Sequence, residues 1–143
     1  MPTRHSSAEW KGVLRSGSGK VTVGKGVFEG AYSFASRFED GTGTNPEELI
    51  GAAHAACLSM ALSAGLERAG TPAERVATKA SVTLEKVGDA FRITTIRLEV
   101  RGRVPNLTAA AFKEAAEKAK DGCPVSNALK GNVAFELDAQ LEG

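Results

Sequence analysis

Cysteine is scarce in this 143-residue sequence, which contains only Cys57 and Cys123. Two thiols cannot by themselves complete a four-ligand zinc site. In a chain without an export signal they do not read as a structural disulfide framework either. An excess of charge of one sign is also missing. The 18 basic and 17 acidic side chains leave a net charge of +1. No basic cluster of five or more residues stands out, so nothing forms an electrostatic footprint for nucleic acid or an anionic membrane. The first residues, Met1-Pro2-Thr3-Arg4-His5-Ser6-Ser7, lack the apolar core of a secretory leader, and a cytoplasmic location is expected. Repeats, low-complexity tracts and linkers are absent too. The length suits one domain spanning 1–143.

What is present begins with a charge-free stretch from Leu49 to Leu66. A bilayer span needs about 20 predominantly apolar residues. Here Gly51, His54, Ser59, Ser63 and Gly65 interrupt the run and alanine fills much of the rest. It reads as a buried central helix.

Before that helix, alternating apolar positions predict short strands over Ala8–Arg15, Lys20–Gly24 and Ala31–Phe38, separated by glycine turns. Asn45, Pro46, Glu47 and Glu48 form a helix start with an N-cap, a proline in the first turn and acids at the positive end. The helix is expected to run to about Ala69, where Gly70 and Pro72 stop it. Two further strands follow, over Val76–Val87 and Phe91–Val104, joined by Gly88-Asp89. A slip in apolar phase within the second places a β-bulge near Thr94-Thr95. Thr108 caps a helix to Lys120, a short helix covers Pro124–Lys130, and the last strand contains Val133, Phe135, Leu137 and Ala139. The order βββ-α-ββ-α-α-β predicts an α+β fold with antiparallel sheets.

Cys57 lies mid-helix in Ala52-Ala53-His54-Ala55-Ala56-Cys57-Leu58-Ser59-Met60. Burial alone would raise its pKa and make it inert, so reactivity requires a nearby cation or hydrogen-bond donor. His54, one turn earlier, shares a face with it. It reads either as a packed core histidine or as a group assisting the thiol, and a metal pair with Cys57 lacks further ligands. Glu47 precedes Cys57 by ten positions, about 15 Å along a straight helix. The two side chains cannot touch within one helix. Glu47 is therefore either an ordinary helix-start acid or a group acting across a two-fold interface from a second copy. Cys123 precedes Pro124, which favours extended backbone at the cysteine and starts the short helix after it. There it reads either as a thiol favoured in its ionised form by the helix end, with Gly122 giving freedom to move, or as a small apolar cap.

Three segments together resemble the osmotically inducible protein C (OsmC) family and its organic hydroperoxide resistance (Ohr) relatives. They are Gly43 to Leu62, Lys118 to Lys130, and Thr22 to Phe38 with its Ser36-Arg37-Phe38. The wording Ile50-Gly51-Ala52-Ala53-His54-Ala55 is closer to the OsmC branch. The resemblance implies an OsmC-like fold, two sheets wrapped around two central helices, in an intertwined homodimer with active sites at the interface. It implies a thiol peroxidase of oxidative and osmotic stress defence, with Cys57 as peroxidatic and Cys123 as resolving thiol. By the same resemblance Arg37 stabilises the thiolate and binds the peroxide, and Glu47 orients Arg37. Leu58 stands where relatives often carry an aromatic, a change expected to alter the shape of the pocket.

The expected cycle needs no metal or bound cofactor. A Cys57 sulfenic acid forms, a Cys57–Cys123 disulfide follows, and an external dithiol, lipoyl-type or other, reduces it. Apolar walls that include Leu49 and Met60 would favour organic hydroperoxides over hydrogen peroxide. Two other readings compete. A non-enzymatic dimeric module would hold a small apolar ligand with Cys57 as a packing residue. A cysteine hydrolase using Cys57 and His54 has no identifiable third group to orient the base.

Overall fold

A computed structural model describes residues 1–142 as an α+β chain in two compact units, the first Met1–Leu49 and the second from Ile50 onward. The first unit is a three-stranded antiparallel meander of β1 (Ser6–Lys11), β2 (Ser18–Val23) and β3 (Phe28–Tyr32), in the order β1-β2-β3. Val13 and Leu14, expected inside the first strand, lie past its end and are exposed.

The third strand differs more from expectation. It stops at Tyr32, and Phe34–Phe38 form a short helix, α1. The local chemistry explains the change. The Ser33 hydroxyl accepts from the Ser36 amide at 3.1 Å, and the Ser36 hydroxyl accepts from the Ser33 amide at 2.8 Å. This reciprocal capping box satisfies two otherwise unpaired amides and outweighs a three-residue alternation of apolar side chains.

The long helix α2 (Pro46–Arg68) starts as expected, with the Glu48 amide donating to Asn45 Oδ1 at 2.8 Å. It ends at Gly70, whose φ of 85° is left-handed, with the Thr71 amide donating to the Leu66 carbonyl at 2.9 Å. Every fourth residue from His54 to Leu66, that is His54, Leu58, Leu62 and Leu66, is buried. The other side, Ala52, Ala53, Ala56, Met60 and Ser63, is exposed. By length and composition α2 could cross a membrane, and only 28% of its most apolar window is buried within the chain.

The second unit contains β4 (Arg75–Val87), β5 (Ala90–Arg103), α3 (Ala109–Gly122), α4 (Pro124–Leu129) and β6 (Ala134–Leu141). β4 and β5 form an antiparallel hairpin whose two-residue turn uses the left-handed φ of 63° at Gly88. Thr83 pairs with Thr95 and Leu84 with Ile93, so Thr94 is the extra residue of the bulge expected there. The last pairing departs from the antiparallel expectation, because β6 lies parallel to β5. The connection through α3 and α4 is a helical crossover, and a crossover returns the chain to the sheet in the same direction.

The core of this unit joins Leu58, Leu62 and Leu66 of α2 to Ile96, Leu98 and Val100 of β5, with Phe112 and Ala116 of α3 and Ala139 of β6. Burial of each large side chain contributes about 1.5–3 kcal/mol. Gly102 continues the inward face of β5, where a Cβ would stand 2.5 Å from the Phe112 ring. Glycine is what allows α3 to approach so closely.

Candidate active site

Two pairs of chemically active side chains are assembled, one in each unit. In the second unit α2 carries Cys57, and the α3–α4 junction carries Cys123. Cys123 is the C-cap of α3 and the N-cap of α4, in extended backbone with φ −67° and ψ 123°. Their sulfurs, 66 residues apart in sequence, are 2.9 Å apart and share a hydrogen bond, with both thiols free. Cys57 is half-buried and Cys123 is fully buried.

The two thiols ionise unequally. Burial pushes the Cys57 thiol up, and the hydrogen bond to Cys123 adds to this. Burial also acts to raise Cys123, as its largest single influence. The hydrogen bond shared with Cys57 and the influence of Ser126 and the Val125 amide together outweigh it and bring Cys123 below the usual thiol range. Within this chain Cys57 is thus the harder thiol to ionise and Cys123 the easier. A nearby positive group or hydrogen-bond donor is what would favour its ionised form.

The first unit holds an arginine–glutamate pair. Arg37 lies in the last turn of α1. The Ser36 hydroxyl donates to the Thr44 carbonyl at 2.7 Å, and the Asn45 side-chain amide donates to the Ser36 carbonyl at 2.9 Å. These bonds tie α1 to the start of α2, so that Arg37 Nη2 and Nε both donate to Glu47 Oε1, at 2.8 and 3.2 Å. Glu47 is buried while the Arg37 side chain is 37% exposed. The carboxylate anchors the guanidinium from one side and leaves the rest of its donors free to face a partner. Had Ala31–Phe38 been a strand, Arg37 would not be aimed by this cap.

His54 is fully buried. Its Nε2 lies 2.7 Å from the Ser126 hydroxyl, and its ring meets Phe135 edge-on at 5.2 Å. Burial holds its pKa below the usual histidine value. Leu49 is half-buried, and Met60 is exposed one turn beyond Cys57. Leu58 is wholly buried in the core. Among the described residues no group of three or more His, Cys, Asp or Glu side chains could hold a metal ion. Ser126 was not singled out from the sequence. The signal for it was the spacing Cys123-Pro124-Val125-Ser126, which puts the serine at the third helical position after an N-cap cysteine.

A family model described as OsmC-like protein matches residues 39–138. The chain is 46% identical over 140 residues to Peroxiredoxin OsmC of Escherichia coli (strain K12), covering 97% of this chain and 96% of that protein. It is 36% identical over 99 residues to the Organic hydroperoxide resistance protein of Xanthomonas axonopodis pv. citri, covering 68% of this chain and 67% of the other. Among solved structures, the organic hydroperoxide resistance protein OhrB of Bacillus subtilis superposes with a TM-score of 0.77 at 26% identity, covering 95% of this chain and 98% of that one.

Proposed function

This chain belongs to the OsmC-like protein family, and from that premise we propose that it is a cysteine-based peroxidase that reduces organic hydroperoxides in stress defence. The observation that carries the reading is the approach of Cys57 and Cys123 to 2.9 Å across 66 residues of sequence. In the proposed cycle the Cys57 thiolate attacks the nearer peroxide oxygen. The O–O bond breaks, the alkoxide leaves and takes a proton, and Cys57 becomes a sulfenic acid. Cys123 then attacks the Cys57 sulfur. The sulfenic oxygen leaves as water and a disulfide remains, which an external dithiol, lipoyl-type or other, returns to two thiols by exchange.

Arg37 supplies the positive charge that favours the Cys57 thiolate, holds the peroxide and stabilises the departing oxygen, and Glu47 orients it. Both units thus serve one OsmC-like domain, 1–143. The working form is a homodimer. The exposed stripe of Ala52, Ala53, Ala56, Met60 and Ser63 on an almost uncharged helix supports this, since such a surface gains by being covered by a second copy. Leu49 and Met60 contribute apolar wall to the substrate site and favour organic over hydrogen peroxide. A reducing compartment such as the cytoplasm suits a disulfide that must be recycled.

The test is to count free thiols after one equivalent of cumene hydroperoxide. Loss of both thiols, with a Cys57–Cys123 disulfide in the peptide map, is expected. Retention of both would reject the peroxidase in favour of a dimeric module that binds a small apolar ligand. In Cys123→Ser one peroxide should still be consumed, with oxidation stopping at a Cys57 sulfenic acid. A Cys57 that stays reduced in that variant would overturn the assignment of roles.

A further inference from the structure

The buried contact between His54 and Ser126 has no part in the cycle above. His54 on α2 and Ser126 on α4 are 0% and 3% exposed, and His54 Nε2 lies 2.7 Å from Ser126 Oγ. Either tautomer of the ring makes this bond, because the hydroxyl both donates and accepts. The pair is shut off from water, where loss of one partner strands the other at the full cost of its desolvation. The Phe135 ring of β6 meets the imidazole edge-on at 5.2 Å and braces it.

The contact repeats the approach of the two sulfurs one step away. His54 stands three residues before Cys57 on α2, and Ser126 stands three residues after Cys123, the N-cap of α4. Residues three apart share a helix face, and the third residue of a helix lies beside its cap. The two elements thus meet in antiparallel register at two rungs, Cys57 with Cys123 at 2.9 Å and His54 with Ser126 at 2.7 Å.

Little else fixes α4 in that register. It has six residues, too few to be a stable helix alone. Of its side chains only that of Ser126 is buried, while Leu129 is partly buried against the core. The Asn127 side-chain amide donates to the Asp121 carbonyl at 3.2 Å, which ties α4 back to α3 and not to α2. Register matters at this scale. One residue of slip along a helix is about 1.5 Å, whereas a disulfide needs its sulfurs at about 2.05 Å.

We propose that the His54–Ser126 hydrogen bond is a register pin, which holds α4 against α2 so that Cys123 stays within reach of the Cys57 sulfur before any bond joins them. Both residues are positioning residues for disulfide closure, and neither touches the peroxide. In closure the Cys123 sulfur bonds to the Cys57 sulfur, the S–O bond of the sulfenic acid breaks, and the oxygen leaves as water with the proton of Cys123. The inference rests on the resolving role of Cys123 proposed above, but its decisive measurement does not require peroxidase activity.

The measurement is the dithiol–disulfide balance of the intact chain in mixtures of reduced and oxidised dithiothreitol, read by alkylating the remaining thiols and measuring the mass. The exchange moves two electrons and two protons between the cysteine pair and dithiothreitol. Unpinned cysteines lose effective concentration, so Ser126→Ala and His54→Leu should each shift the balance toward the dithiol about fivefold. His54→Gln, which keeps a hydrogen-bonding group near the same place, should stay within about twofold of the parent. Thr78→Ala removes a comparable partner of α2, whose Ser59 hydroxyl lies 2.8 Å from that of Thr78, and should leave the balance unmoved. With one equivalent of cumene hydroperoxide, Ser126→Ala should consume peroxide at the parent rate but form the disulfide about fivefold more slowly, with the Cys57 sulfenic acid trapped by dimedone meanwhile. A balance unmoved by Ser126→Ala, or moved as far by Thr78→Ala, overturns the pin, whether or not the protein reduces peroxides. A shifted balance in a protein whose parent chain consumes no peroxide would sink the peroxidase reading and leave the pin standing.

Discussion

Among the described residues all of the buried hydrophobic side chains lie in the second unit, from Leu58 to Ala139, whereas the first unit buries only Ser36 and Glu47, both polar. Its large apolar residues Val13, Leu14, Val27 and Phe28 are exposed. Burial of apolar surface drives folding, and a segment that buries only polar groups has little drive of its own. The second unit is built as a core around two sulfurs. The first is built as a hydrogen-bonded frame around one guanidinium, with Ser33, Ser36, Thr44 and Asn45 aiming Arg37 at Glu47. The division suits the chemistry. Thiols must be sheltered and brought together, while a charged group keeps water contact until a substrate arrives.

The largest effect expected is in the second unit. Cys57→Ser should abolish peroxide reduction, read as peroxide remaining after mixing with reduced protein, while leaving the fold intact by circular dichroism. Equal turnover by the variant would break the assignment of chemistry to that unit. Next is stability. Phe112→Ala empties the centre of the core and should cost about 3–5 kcal/mol, measured by denaturant unfolding. Val27→Ser, at an exposed site of the first unit, should change stability by no more than about 0.5 kcal/mol. Equal losses at the two sites would erase the contrast between a packed unit and a hydrogen-bonded one.

A third change tests the first unit through chemistry. Arg37→Ala should slow the peroxide step by about 10²–10³-fold, followed by the loss of Cys57 thiol under single turnover, and an unaltered rate would remove the guanidinium from the mechanism. The smallest effect concerns His54. Its pKa is held below 6.5 by burial, so the unfolded chain binds the proton more readily than the folded one. Stability is therefore full above about pH 6.5 and falls as the pH drops below it, by at most about 1.4 kcal/mol per pH unit. Urea unfolding at a series of pH values should show this slope, and His54→Gln should remove its share.

Much of the second unit was legible in the sequence. The cap at Thr108, the stop at Gly70, the bulge at Thr94 and the strand and helix identities all follow from local rules, as does the Asn45 cap in the first unit, because apolar period and capping residues act over a few positions. The Cys57 and Cys123 segments were conspicuous for the same reason. Where the reading failed, two signals competed. Ala31–Phe38 carried a strand-like alternation and a serine pair at cap spacing, and the serine pair prevailed in Phe34–Phe38. The direction of β6 was illegible because it depends on the path of the whole α3–α4 crossover and not on the residues of β6. Ser126 was missed because its partner, His54, is 72 residues away.

By itself the sequence determined the α+β composition, the starts of α2, α3 and α4, and the presence of two thiols, one arginine and one glutamate in recognisable surroundings. These are properties of neighbours along the chain. Only the tertiary structure decided that the sulfurs meet at 2.9 Å, that α1 turns Arg37 onto Glu47, and that a buried histidine leans on the serine beside Cys123. Each of these joins residues on different elements, and their separation is set by how side chains fill shared space, which no local pattern specifies.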